Sequence, residues 1–117
     1  MYTKPFFINT CTGDDHDIIL GGGHSIDVID AGNGSDFASG DCVWMLFDNS
    51  DFHLRNVTST SINVGGIDEL LMGAGDDVAI GGQDIDQIFG GEGFDILAGD
   101  NSEITFYNTH YALTVEK

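Results

Sequence analysis

Seven aspartates recur at one position of a nine-residue unit. Asp68, Asp77, Asp86 and Asp95 hold the sixth place of four contiguous nonapeptides over residues 63–98. Asp17, Asp27 and Asp36 hold it in a looser array over residues 12–39, which carries one extra residue, Gly21. Glycines lead into these aspartates, among them Gly32, Gly34, Gly73, Gly75, Gly82, Gly91 and Gly93. Carboxylates repeated in register with glycine loops could supply an oxygen-donor cation site. Such hard ligands suit Ca²⁺; Zn²⁺ and Cu²⁺ favour Cys and His, and Mg²⁺ keeps its waters in a strict octahedron. One or two Gly-Asp turns would need only turn chemistry. Seven aspartates in one slot need more.

The elements that position them follow from the same unit. Two places after each aspartate stands an apolar residue: Ile19, Ile29, Ala38, Leu70, Ala79, Ile88 and Leu97. Glycine admits positive φ, so six residues can form a tight loop with inward carbonyls. The remaining three form a short strand whose middle side chain faces a core. Two units then close one coil, and coils stack as parallel strands about 4.8 Å apart. Stacking places Asp68 with Asp86, Asp77 with Asp95 and Asp17 with Asp36, and leaves Asp27 no evident partner beyond Asp41. Two like charges at ~4 Å repel by about 1 kcal/mol in water and about 4 kcal/mol at an effective dielectric of 20. Several such pairs rival the stability of a small domain, about 5–15 kcal/mol. A divalent cation reverses the sign.

Some positions depart from the unit. Asp15, Ser25 and Asp84 replace the fourth-place glycine, and Asp84 is expected to tolerate a left-handed backbone. Asn63-Val64 replaces Gly-Gly. Ala38 and Ala79 are expected to fill the core poorly.

A longer period lies above the nonapeptide. Residues 17–22 match residues 77–82, and residues 36–41 match residues 95–100. The chain therefore divides into 1–62, an array (12–39) plus a tail (42–61), and 63–117, an array (63–98) plus a tail (103–114). The two are expected to form one continuous unit. The tails carry aromatic and β-branched residues around turn signals at residues 48–50 and Asn108, so each predicts a strand pair. Trp44, Phe47 and Phe52 are expected in the core of the first. No apolar 3.6-residue period survives, so no helix is expected. The expected fold is all-β: a parallel β-roll, or β-helix solenoid, with short β-hairpin tails.

Composition closes other doors. There are 20 acids against three bases, a net charge of −17. Nucleic acid is excluded as a partner because phosphate binding needs Lys and Arg. No apolar run approaches the roughly 20 residues of a membrane span. A hydrophobic fraction of 41% argues against the disorder that such charge favours. Cys11 and Cys42 are too few for a disulfide framework, and their pairing stays open. His16, His24, His53 and His110 are scattered, with no His-Glu-x-x-His, and read as plain substitutions. No nucleophile elbow or dinucleotide fingerprint is present, so a non-enzymatic role is expected. Residues 1–8 do not read as a Sec signal peptide.

Residues 90–98, Gly-Gly-Glu-Gly-Phe-Asp-Ile-Leu-Ala, fit every specified position of the nonapeptide of repeats-in-toxin (RTX, hemolysin-type) calcium-binding proteins. Residues 63–98 resemble that family well, and residues 12–39 do so with defects. The resemblance implies a β-roll holding several Ca²⁺ ions through the sixth-place aspartates and the loop carbonyls around the glycines named above. It implies folding on Ca²⁺ arrival after type I-like export, hence an extracellular location, and further domains of a larger protein as partners. Two alternative expectations are a stalk segment of a large adhesin and the tail of a secreted hydrolase or epimerase.

Overall fold

Glycine-rich loops leave room for strands of three to five residues, and the chain repeats them in alternation. The computed structural model describes residues 13–23, 26–48, 54–60 and 63–106, and the backbone alone of residues 7–11 and 112–116. The described chain is all-β. Its strands are β1 (Phe7–Cys11), β2 (Ile18–Leu20), β3 (Ile26–Asp30), β4 (Phe37–Ser39), β5 (Val43–Phe47) and β6 (Leu54–Ser59). There follow β7 (Glu69–Leu71), β8 (Val78–Ile80), β9 (Gln87–Phe89), β10 (Ile96–Ala98), β11 (Ser102–Phe106) and β12 (Ala112–Glu116).

These strands make three four-stranded sheets. The first has the order β1-β3-β7-β9 and the second β2-β4-β8-β10, both parallel throughout. Successive array strands alternate between these two sheets. After β4 the chain departs at Gly40-Asp41, forms β5 and β6, and returns through Gly65-Gly66 to β7. Strand β7 then pairs with β3 (Ile29 opposite Leu70), and β8 with β4 (Ala38 opposite Ala79). The second departure, at Gly99-Asp100, leads to β11 and β12. The third sheet, β5-β6-β11-β12, is antiparallel throughout. Both expected strand pairs are present, and β6 pairs with β11 to join them. Each sheet thus takes two strands from each half of the chain.

Side-chain alternation along a strand sends the middle residue inward. Ile19, Ile29, Ala31, Ala38, Leu70, Met72 and Ala79 form one buried cluster, with Ile88 packed against it. Ala38 and Ala79, expected to fill the core poorly, are both fully buried within it. They are neighbours on the second sheet and share the cluster with Ile29 and Leu70, neighbours on the first. Small residues on one wall accommodate large ones from the other, as close packing requires.

The residues flanking each middle position divide the sheets. On the second sheet they are largely apolar: Phe37, Val78, Ile80, Ile96 and Ala98. Phe37, Ile80 and Ala98 join Val57 and Ile104 of the third sheet in another cluster, with Val43, Met45, Leu54, Val78, Ile96 and Phe106 against it. The third sheet therefore covers the outer face of the second. The expectation for Trp44 and Phe47 is corrected. With Val43 and Met45 turned inward, alternation sends Trp44 outward, 56% exposed, and Phe47, beyond the irregularity in the β5–β6 register at Leu46/Phe47, is 37% exposed. Phe52 lies outside the described residues.

Candidate metal centre

Parallel stacking of the loops turns the seven predicted aspartates into two ladders. At the loops leading into the second sheet, Asp17 N–H donates to Asp36 Oδ1 (2.9 Å) and Asp36 N–H to Asp77 Oδ1 (2.8 Å). Asp77 N–H donates in turn to Asp95 Oδ1 (3.0 Å). At the loops leading into the first sheet, Asp27 N–H donates to Asp68 Oδ1 and Asp68 N–H to Asp86 Oδ1, both at 2.9 Å. The three stackings expected from spacing are present. For Asp27, which spacing left without an evident partner beyond Asp41, the stacked partner is Asp68, and the charge of Asp41 also acts on it. The Asp27–Asp68 and Asp36–Asp77 steps each bridge 41 residues. They exist because the β5–β6 excursion leaves the coil and returns to it in register.

Asp41 is more deeply engaged than its sequence position suggests. It lies where the chain departs, is 2% exposed, and accepts the Gly66 N–H through Oδ1 (3.2 Å) and the Gln83 N–H through Oδ2 (2.6 Å). The signal that marks it is the recurrence of Gly-Asp at both exits, Gly40-Asp41 and Gly99-Asp100.

The carboxylates of the ladders are mostly sealed from water. Asp27, Asp36, Asp68 and Asp77 are no more than 3% exposed. In each step one carboxylate oxygen accepts a backbone N–H. The Oδ2 atoms of Asp17, Asp36, Asp77 and Asp86 are buried and accept no hydrogen bond. Burial pushes the Asp36 and Asp77 carboxyls above the usual carboxylate range, and the N–H bonds they accept only partly offset this. Asp41 is pushed up to about 6 by burial, with the charges of Asp68 and Asp27 adding to it. Asp86 is pushed up to about 7, again by burial first and then by Asp68, Asp41 and Asp84. At Asp41 the rise is worth about 3 kcal/mol. No Lys or Arg among the described residues relieves it: Arg55 bonds Asp48 at 2.9 Å on the β5–β6 hairpin.

All seven predicted glycines have positive φ, from 88° to 137°. Two show why nothing larger fits. A Cβ on Gly73 would strike the carbonyl oxygen of Gly32, and one on Gly75 that of Gly34. Asp84 stands at φ 79°, left-handed as its fourth-place position predicts. At the first place of the loop, a Cβ on Gly81 would lie 2.5 Å from Asp86 Oδ2 and 2.6 Å from the Gly99 carbonyl oxygen of the next coil. Carboxylate and carbonyl oxygens thus gather in the space a side chain would fill.

Among the described residues, no group of three or more His, Cys, Asp or Glu side chains could hold a metal ion by itself. The carboxylates come in stacked pairs, so backbone carbonyls would have to complete any coordination shell. Calcium, with six to eight oxygen ligands drawn from carboxylates and carbonyls alike, fits such a donor set. His16 ties one loop to the next, since its Nδ1 accepts the Ser35 N–H at 2.8 Å, as Asp76 Oδ1 accepts the Phe94 N–H at 2.9 Å. His24, His53 and His110 lie outside the described residues. Cys42 is a free thiol; the side chain of Cys11 lies outside the described residues. No helix among the described residues is long and apolar enough to cross a membrane. No family model, curated protein or solved structure matches the chain.

Proposed function

We propose that this chain is a calcium-binding module of the repeats-in-toxin kind, a parallel β-roll that becomes rigid when Ca²⁺ binds. One observation carries the reading. Two ladders of carboxylates run through the stacked loops, the Oδ2 atoms of Asp17, Asp36, Asp77 and Asp86 are buried and accept no hydrogen bond, and at Gly81 the Asp86 Oδ2 and the Gly99 carbonyl oxygen crowd the space a side chain would fill. A buried carboxylate without a compensating partner is costly. Carboxylates stacked in register are intelligible as half of an ion pair whose other half is a cation.

On this reading the aspartates hold the ions and the glycine carbonyls of the loops complete the shells. Asp17, Asp36, Asp77 and Asp95 serve one row, and Asp27, Asp68 and Asp86 the other, with Asp41 beside it. The five steps between stacked aspartates set an upper count of five ions. The function is binding and mechanical ordering, not catalysis. Its natural setting is extracellular, where Ca²⁺ is abundant. A larger secreted or surface protein would use it as a segment that stiffens after export.

The test is a Ca²⁺ titration of metal-free protein followed by far-UV circular dichroism. Strand signal is expected to develop with Ca²⁺ and not with equal Mg²⁺. The triple variant Asp77→Ala/Asp86→Ala/Asp95→Ala is expected to lose the response. A spectrum that stays constant into the high millimolar range would sink the proposal.

A further inference from the structure

Strands β1 to β6 and strands β7 to β12 are two copies of one module, and the way they meet defines a docking surface at each end. In every sheet the strands of the first half lie on one side and those of the second half on the other. The halves join through β3 with β7, β4 with β8, and β6 with β11. In the second half, β9, β10 and β12 occupy the places that β3, β4 and β6 occupy in the first. They are sheet edges in the described chain, as are β1, β2 and β5 at the opposite end. Edges of this kind are templates for further pairing.

Three other features of the ends agree. Leu97, at a core-facing place on β10, is 44% exposed, whereas Ile19, Ala38 and Ala79 at the same place on their strands are buried. At the other end Ile18 and Leu20 on β2 are 53% and 52% exposed. The ladders also have a direction. Each aspartate N–H donates to the carboxylate of the next coil toward β9 and β10. At that end Asp95 and Asp86 are the last acceptors. At the opposite end Asp17 is the first donor of its ladder, and no aspartate among the described residues donates to it.

We infer that the chain stacks head to tail on a second copy of itself, with β9, β10 and β12 of one copy adding to β1, β2 and β5 of the next. The partner is a second copy because the contact repeats the one already made between the two halves. The register carries over. Leu97 falls opposite Ile19 of the second copy, Ile96 opposite Ile18 and Ala98 opposite Leu20. In the second-sheet ladder Asp95 N–H reaches Asp17, whereas in the first sheet Asp86 falls opposite Ile8, the β1 residue paired with Asp27. The contact is heterologous, so it extends into a filament rather than closing as a two-fold dimer. It rests on the calcium reading in one respect: the apposed aspartates need a cation between them.

Two variants test it. Ile18→Lys blocks the β2 end and Leu97→Lys the β10 end, both at exposed positions. Sedimentation velocity in saturating Ca²⁺ is expected to show wild-type chains growing with concentration, and each variant alone remaining a monomer. An equimolar mixture of the two variants is expected to give a dimer and nothing larger, through the one unblocked end of each. Circular dichroism on the same samples reports folding. A normal Ca²⁺ response with wild-type protein monomeric at every concentration overturns the docking, and so does a mixture that stays monomeric. A spectrum indifferent to Ca²⁺ with the mixed dimer still formed overturns the calcium reading and supports the docking.

Discussion

At the scale of single residues, charge and backbone conformation are the two quantities under constraint. Asp77 is 1% exposed, accepts the Asp36 N–H, and keeps Oδ2 without a hydrogen bond. Asp77→Asn preserves the acceptor and removes the charge. The metal-free protein is therefore expected to be no less stable than wild type. The midpoint of the Ca²⁺ titration is expected to rise by at least about tenfold. Opposite signs in the two states, read by urea denaturation with and without Ca²⁺, are the signature of a ligand rather than a structural acid. Gly73→Ala probes the backbone. Its φ of 91° and the Gly32 carbonyl against the new Cβ predict a loss of about 1–3 kcal/mol in Ca²⁺-saturated protein. Gly13→Ala is the control: nothing stands within 4 Å of its Cβ position, so the expected change is under about 0.5 kcal/mol. Equal denaturation midpoints for the two variants would remove the steric argument.

At the scale of elements, the second sheet is the shared wall of the molecule. Its inner face meets the first sheet, and its outer face carries the third. Ile80 is fully buried in the cluster with Val57 and Ile104, so Ile80→Ala is expected to cost about 2–5 kcal/mol. Phe89 holds the equivalent strand place on the first sheet, whose outer face no other sheet of the described residues covers, and is 54% exposed. Phe89→Ala is expected to change stability by less than about 0.5 kcal/mol. Thermal unfolding of the pair checks which sheet the hairpins cover, and a larger loss at Phe89 would contradict the layer order. The strands themselves are legible from the nonapeptide, because the apolar residue two places after each aspartate has to find a core. The layering is less so. Its signal, apolar flanks on alternate strands, appears only over two units and is diluted by Leu71 and Phe89 on the first sheet. Trp44 escapes sequence reasoning for a related cause: alternation allows either face inward, and only the third sheet's packing chooses Val43 and Met45.

At the scale of the whole molecule, the fold gathers negative charge, and proton binding sets its response to pH. Asp41 and Asp86 are raised to about 6 and about 7, and Asp36 and Asp77 are raised as well. In the window from about pH 4 to 7 the folded chain therefore binds more protons than the unfolded chain. Stability with respect to these groups is full below about pH 4 and is lost as the pH rises through the raised values. Metal-free protein is expected to melt at a lower temperature at pH 8 than at pH 5. Saturating Ca²⁺ is expected to reverse that order, because protons and the cation compete for the same oxygens. Melting curves in chelator and in Ca²⁺ at both pH values check the sign; a melting temperature independent of pH in chelator would leave the buried carboxylates without energetic consequence.

The sequence by itself determined the repeating unit, the short strands, the two hairpins and the aspartate register. All of these are local, since nine residues hold the loop, the strand and the carboxylate. Only the tertiary structure decided which coils touch. Residues 42–64 loop out between Asp41 and Gly65, yet β3 meets β7 and β4 meets β8 as if nothing had intervened. That contact gives Asp27 its partner, brings Asp36 under Asp77, and encloses Asp41. It could not be read from spacing, because an excursion that returns in register leaves the period unchanged on either side. What closes it is the apolar outer face of the second sheet, which must be covered, and the hairpins that cover it.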